Sequence, residues 1–580
     1  SKFELSFNLG HTYSNPFNPD IVRVTGHFTQ PDGNEITVPG FFYQAYQRRR
    51  SKGSERLVPQ GRSHWKVRFA PRQTGRYEYH VTVEDNTTEE TKTLRSDSGS
   101  FRCVEGNNSG FIRISEEDKF HFETDKGDFY YPVGHNIAAV HDARAKTLQV
   151  NIPASEGTYA YDRMLSRMGE AGENWGRIWM SPWSFGLEWT HAYNHHYRDR
   201  GRYNLQNAWK LDHVLRQAEK NDIRLLVLFT AHGEIGDYES DFKGHDAEQE
   251  QGHPYWTRYG GPAESPRELY TSEKARKLYL QKLRYIVARW SYSTAVMGWE
   301  ILNEADLASF YKSKRFGQIG ADFVASAARH IRRLDPADHL ITSSVFRYRK
   351  PWSEPLLELD ELDFNTGHIF DGDLETVLKE DIRYMQDKYD KIFLPTEAGL
   401  TPFAQDARMT ELAIHRTLWS SFMIPSAGAA APWWWVLIDR RDLYHHFHAL
   451  SEYAKGIDRR NQNYQPKEGT IDDKEESDSE RDLHISILGN DTEAYCWISN
   501  RDAFSSHAKW EAADKRKATL TIFDLEPGHY TVEAWDTSTG EIITTMSSQS
   551  EQTGNSDHET AVTFALPAFK RDIAVKVKPR

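Results

Sequence analysis

Between residues 110 and 455, short apolar runs of β character alternate with helical stretches, and this alternation limits the possible folds more than any other feature. The β-like runs are Phe129–Asn136, Glu173–Ser181, Ile223–Ala231, Ala295–Asn303, His339–Phe346, Leu362–Phe370, Ile392–Ala398 and Gly428–Leu437. Helical periodicity fills the intervals at Tyr159–Ala171, Ala208–Asn221, Ser272–Trp290, Gly317–Leu334, Leu374–Tyr389 and Asp406–Met423. Strands joined through helices lie parallel and are buried on both faces, which is why they read as continuous apolar runs. Eight such units predict an α/β chain built on a (β/α)₈ TIM barrel. A doubly wound open sheet is the rival. It normally serves a nucleotide, and no G-x-G-x-x-G after a strand, no G-x-x-x-x-G-K-[ST] and no H-E-x-x-H occurs here.

At 580 residues the chain exceeds one hydrophobic core, and its ends differ from its middle. Residues 1–106 alternate in short runs such as Trp65–Phe69 and Tyr77–Val81, punctuated by Pro31-Asp32-Gly33 and Thr74-Gly75, as in a β-sandwich. Gly106–Gly110 marks a boundary, 107–460 is the expected barrel, and 461–580 is expected to be a polar linker and a second β-sandwich. A formal charge of −13 argues against nucleic acid as a partner, and no apolar run reaches a membrane span. The start at Ser1-Lys2-Phe3 shows no signal segment, which leaves open a cytoplasmic protein or one secreted after processing. Cys103 and Cys496 form no disulfide framework and read as two buried thiols. The 17 tryptophans suit either a large core or a sugar site, since indole faces stack on the C–H faces of sugars.

Barrel enzymes place their chemistry where strands end and βα-loops begin. Under that rule the positions of interest are Arg177, His232, Asn303-Glu304, His368, Glu397 and Trp433-Trp434-Trp435. The two glutamates each close an apolar run, Met297–Glu304 and Ile392–Glu397, where an unused carboxylate is expensive to desolvate. Strands four and seven face each other across a barrel mouth. Opposed carboxyls there suit glycoside hydrolysis, one protonating the leaving oxygen and the other attacking the anomeric carbon. Glu300 precedes Glu304 by four residues on the same strand face and reads as a structural partner of a barrel-interior Arg or His.

The segment Trp299-Glu300-Ile301-Leu302-Asn303-Glu304 resembles the strand-four signature of the clan A glycoside hydrolases, which include the family-five cellulases and mannanases. The resemblance implies Glu304 as acid/base, Asn303 as the partner of the sugar 2-hydroxyl, and Glu397, 93 residues further on, as nucleophile. It implies that Arg177 keeps the nucleophile ionised, that His232 and His368 are the clan's strand-three and strand-six histidines, and that the run 433–435 floors the sugar site. Family-five members carry a Tyr two residues after the strand-six His, and Phe370 stands there instead, which points to another branch of the clan. The sequences at 31–33, 65–71 and 74–77 resemble an uncharacterised sandwich that precedes such barrels, and Gly528–Asp536 resembles their small C-terminal sandwich.

The resulting expectation is a retaining glycosidase acting on an oligo- or polysaccharide by double displacement, with no cofactor and no metal. Glu304 is expected to have a raised pKa beside the charged nucleophile, and Glu397 a pKa depressed by Arg177. A transglycosylase on the same fold and a non-catalytic carbohydrate-binding protein are the alternatives. Asp237, Glu239, Asp241, His245, Asp246, Glu248 and His253 lack tight ligand spacing and read as a solvated loop. Tyr255-Trp256 and Tyr259 to Pro262 are open between substrate walls and packing anchors, and His445, His446 and His448 read as surface or supporting residues.

Overall fold

A computed structural model describes residues 2–190, 196–235, 253–308, 313–403, 406–473, 483–501, 503–513, 515–554 and 557–580. Near the N-terminus, Phe3–Phe7, Ser54–Phe69 and Phe41–Ser51 form one antiparallel sheet. Glu35–Pro39, Val22–Thr29, Gly75–Asp85 and Lys92–Arg95 form a second, with Gly99–Cys103 also paired to Gly75–Asp85. Alternate residues of Val22–Thr29 point inward, as period-two pleating requires, and Val24, Phe28, Trp65, Val67, Phe69 and Tyr77 fill a core between the two sheets. Cys103 lies at the edge of this unit and is half-buried rather than buried, while Cys496 is buried and both are free.

The middle of the chain carries the parallel strands. Gly134–Asn136, Trp175–Trp179, Arg224–Leu228, Val296–Glu300 and Leu340–Thr342 pair in that order, and Ser344–Val345, Asn365–Phe370 and Phe393–Gly399 continue the sequence. Residues 429–432 then bond to both ends of the series. Ala398 N donates to Ala431 O at 2.8 Å, and Asn136 N donates to Pro432 O at 3.1 Å. The parallel ladder thus returns to its first strand. Every residue of the second, third and fourth strands is buried, because helices cover one side and side chains fill the other. Helices Thr158–Glu170, Leu205–Lys220, Glu273–Trp290, Lys314–Leu334, Leu374–Tyr389 and Ala407–Phe422 connect them. Asn204 caps the second helix by accepting from the backbone N–H groups of Gln206 and Asn207, a contribution of about 1 kcal/mol.

Two expected strands are altered. The run Phe129–Asn136 is broken at Pro132, so that Phe129–Tyr130 joins a small antiparallel sheet with Ile112–Ile114 and Phe122–Thr124. Phe122 and Tyr130 of that sheet pack with Trp175, Leu226, Met297 and Leu394 from the parallel strands. The run Gly428–Leu437 is not a strand. Only Pro432 bridges to Ala398, and Trp435–Arg441 is a helix, its apolar side chains buried by helical rather than pleated periodicity.

At the C-terminus nine strands pair in one antiparallel series that begins at Gln465–Pro466 and ends at Gly469–Asp473. Residues 465–473, expected as linker, therefore belong to this sheet, and the charge run beyond Asp473 lies outside the described residues. Its Tyr495, Trp497 and Trp535 join the large core that includes Trp419 and Tyr453 of the adjoining helices. No helix among the described residues is long and apolar enough to cross a membrane.

The N-terminal sheets are anchored through a buried carboxylate. Asp212 accepts from Arg68 Nη1 and Arg289 Nη2, each at 2.7 Å, and from Trp290 Nε1 at 2.8 Å. Burial opposes its charge, but Arg289 and Arg68 outweigh that and hold its carboxyl well below the usual range. The stability it contributes is therefore present above the unfolded-state pKa and lost as pH falls. Asp212→Asn should lower the thermal midpoint at pH 7, reflecting a loss of about 3–5 kcal/mol for stranding two buried guanidinium groups. Melting curves from pH 7 to pH 3 should show the gap holding above about pH 4 and narrowing below it. A pH-independent gap would remove the charge explanation.

Candidate active site

The ends of the parallel strands converge on Arg177, which is fully buried. Its Nε and Nη2 donate to Glu300 Oε2 and Oε1 at 2.6 and 2.8 Å. Its Nη1 donates to Glu397 Oε1 at 2.7 Å and to Asn136 Oδ1 at 3.2 Å, and Nη2 also donates to Asn303 Oδ1 at 2.6 Å. One planar guanidinium on the second strand thus fixes side chains from the first, fourth and seventh strand ends, as its fork geometry allows. Asn136 also donates to Thr396 O at 2.8 Å, steadying the backbone just before Glu397.

Glu304 sits at the opposite wall. Its backbone is left-handed, at φ 46°, an uncommon conformation for a non-glycine residue, and its N–H donates to Ser344 Oγ at 3.0 Å. His368 Nδ1 lies 2.7 Å from Glu304 Oε1 and 3.3 Å from Glu397 Oε2, and His232 Nδ1 lies 3.0 Å from Glu304 Oε2. One ligand atom each from Glu304, His368 and Glu397 falls within 4.8 Å of the others. Among the described residues this is the only such group of three or more His, Cys, Asp or Glu side chains, so a cation would have to compete there with Arg177.

The electrostatics reverse the expected pKa pattern. Burial opposes ionisation of Glu304, yet His368 and His232 outweigh it and hold its carboxyl below the usual range. Burial pushes Glu397 up, and the Glu304 charge adds to this against His368 and Arg177. Arg177, which lowers Glu397, is shared with Glu300, which accepts two of its hydrogen bonds. His368 itself is raised: burial works against its proton, but Glu397 and Glu304 retain it.

The aromatic run divides. Trp433 packs on Trp179 at 5.3 Å between ring centroids, and Arg177 lies 5.3 Å from the Trp179 ring. Trp434 faces Arg144, while Trp435 starts the helix Trp435–Arg441 and meets Trp433 edge-on. Phe370 is half-buried, and among the described residues no tyrosine hydroxyl bonds to Glu397. Asn136 and Trp179 were not singled out from the sequence, although the strand-end rule reaches both, since they end the first and second strands. Tyr255 is an anchor, with its hydroxyl 2.8 Å from buried Glu188 Oε2. His446 is buried against His415, not at the surface. Of the proposed acidic loop only His253 is described, buried beside Tyr255, and 237–248 lies outside the described residues.

If Glu300 divides the charge of Arg177, then Glu300→Gln should return that charge to Glu397 and lower its pKa. Carbon-13 titration of glutamate-labelled protein, assigned with Glu397→Gln, would show the resonance moving at lower pH than in wild type. An unchanged titration would contradict the shared-charge account.

Residues 1–84 match the family described as Domain of unknown function (DUF5060). The chain is 30% identical over 134 residues to mannan endo-1,4-beta-mannosidase F of Aspergillus clavatus, covering 23% of this chain and 26% of that protein. It is 27% identical over 176 residues to mannan endo-1,4-beta-mannosidase A of Podospora anserina, covering 28% of this chain and 41% of that one. The chain thus spans less than half the length of the curated relatives it matches. It shares the fold of a candidate glycoside hydrolase of Bacteroides vulgatus, with a TM-score of 0.60 and 14% identity over 100% of this chain and 98% of that one.

Proposed function

We propose that this chain is a retaining glycoside hydrolase, a (β/α)₈ barrel flanked by two β-sandwiches, with Glu397 as nucleophile and Glu304 as acid/base. The observation that carries the reading is the approach of the two buried carboxylates to within 4.8 Å of each other at the strand ends. Retaining enzymes hold their carboxyls about 5–5.5 Å apart, whereas inverting ones leave about 6.5–9.5 Å for a water. The return of the parallel ladder to its first strand supports the barrel, and the mannanases it resembles make β-1,4-mannan the first polymer to assay.

In the first step a Glu397 oxygen attacks the anomeric carbon while Glu304 protonates the departing glycosidic oxygen. Glu304 draws that proton from His368, 2.7 Å away, which the two carboxylates keep protonated before the reaction. In the second step Glu304 removes a proton from water, and the resulting hydroxide oxygen displaces Glu397 with net retention. Asn303, 2.6 Å from Arg177, is placed beside the nucleophile to meet the sugar 2-hydroxyl.

This scheme sets the pH profile. kcat/KM should fall on the acid side as Glu397, raised by burial, becomes protonated. It should fall on the alkaline side as the proton leaves the His368–Glu304 pair. His368→Asn should move the alkaline limb toward lower pH and, by removing a cation that holds Glu397 down, the acid limb toward higher pH, narrowing the profile; an alkaline limb that stays in place would contradict the proton store.

Chemical rescue separates the two carboxylates. Glu397→Ala with azide should yield a glycosyl azide of inverted configuration. Glu304→Ala should lose roughly 10²–10⁴-fold in kcat on polysaccharide, keep its first step on aryl glycosides, and give an azide of retained configuration. Inverted product from the Glu304 variant, or rescue of Glu300→Ala instead, would overturn the roles.

A further inference from the structure

The loop after the first strand brings a cation to the same site. Asp142 caps the 3₁₀ turn Ala143–Leu148 and accepts from Arg144 Nε at 3.0 Å and Nη2 at 2.8 Å. The guanidinium carbon lies 5.3 Å from the Trp433 ring and 5.5 Å from the Trp434 ring. From Trp433 the contacts run through Trp179 to Arg177, and so to Glu397. Arg144 is therefore part of the indole layer beside the catalytic carboxylates. Its side chain is one-third exposed, whereas that of Asp142 is only 8% exposed. Among the described residues no acceptor bonds to Arg144 Nη1.

The charge of Arg144 is permanent. Burial works against it, but Asp142, Glu397 and Glu304 push its pKa up further. Stabilising the nucleophile does not require it, since Arg177 already touches Glu397. Stability alone is a poor reason for it as well, because a partly buried ion pair seldom outperforms apolar packing. What a fork-shaped cation does well, once one edge is fixed by a carboxylate and its face by indoles, is to present the other edge to a planar or tetrahedral anion.

We infer that Arg144 is a specificity-determining residue that binds an anionic substituent, a carboxylate or a sulfate ester, on the sugar seated beside Trp433 and Trp434. This inference rests on the glycosidase reading above. The substrate class is then an acidic glycan, and a neutral polymer of the same backbone is the poorer substrate.

The test uses β-linked polysaccharides in matched forms that differ only in charge: a uronate polymer with its carboxyl-reduced form, and a sulfated polymer with its desulfated form. For the β-1,4-manno backbone these are polymannuronate, 6-O-sulfated mannan and mannan itself. The full-length chain should cleave one charged form at least about tenfold better in kcat/KM than its neutral match. Arg144→Met should erase that preference, losing roughly 10- to 100-fold more on the charged than on the neutral form, chiefly through KM. Arg144→Lys should recover part of it. Preference for the uronate or for the sulfate arm tells the two anions apart. A wild type that favours the neutral form, or an Arg144→Met variant that loses equally on both, overturns the anion site and leaves the glycosidase reading standing. A wild type that cleaves nothing in the panel sinks that reading, and this inference with it.

Discussion

Everything at the strand ends depends on one buried guanidinium. Arg177 has no exposed surface, and it is held by two carboxylates and two amide oxygens drawn from three other strand ends. A buried cation without such partners would be several kcal/mol too expensive to keep, and each partner would be equally unwelcome without the cation. The network therefore tolerates a single arrangement of the first, second, fourth and seventh strand ends. Its return is geometry rather than stability: Glu397 is fixed in position by Nη1, and Asn303 is aligned by Nη2.

The same economy of charge governs the proton. Glu300, 0% exposed, accepts two of the Arg177 hydrogen bonds and Glu397 one, and Glu397 stays raised by its burial and by the Glu304 charge. Glu304 meets two imidazoles instead of a guanidinium, and the titrating proton of the site resides on one of them, His368, which can give it up. A pair of carboxylates with one permanent and one labile positive partner is differentiated before any substrate arrives.

Much of this was legible in the sequence, and the reasons for the failures are physical. Fully buried strands announce themselves as apolar runs, so seven of the expected β segments coincide with observed parallel strands, apart from trimmed ends and the Pro132 break. The eighth is reduced to the bridging residues 429–432 and turns helical at Trp435, because Trp-rich sequence there is as apolar in a helix as in a strand, and only tertiary contact decides. The site positions followed from strand ends alone: Arg177, His232, Asn303, Glu304, His368 and Glu397 are all brought into one hydrogen-bonded group. The direction of the pKa shifts did not follow, since it depends on which histidine ring lies nearer which carboxylate, a matter of ångströms that spacing does not encode. Arg144 was invisible for a related reason: it lies in a loop, eight residues beyond the first strand, with no periodicity to place it.

The accessory sheets bear on the same strand ends through the helices they grip. Arg68 of the N-terminal sheets reaches Asp212 and the carbonyl of Arg289, on the helices that follow the second and third strands, where Arg177 and His232 stand. On the other side, Asp572 of the C-terminal sheet meets His415 at 2.7 Å, and the Tyr453 hydroxyl donates to Val575 O at 2.7 Å. His415 lies on the helix after the seventh strand, which carries Glu397. Both accessory units therefore pack against helices that follow the strands carrying the arginine and one carboxylate of the central network, and among the described residues neither unit bonds to Glu304. The wall of the site that holds the labile proton is braced from within, by Ser344, His232 and His368, and its left-handed backbone opens the turn Ala305–Leu307, with Leu307 N donating to Glu304 O at 2.9 Å. For the proposed double displacement, one carboxyl must stay in place through both steps while the other changes its protonation state between them, and a rigid wall facing a locally held one suits those two demands.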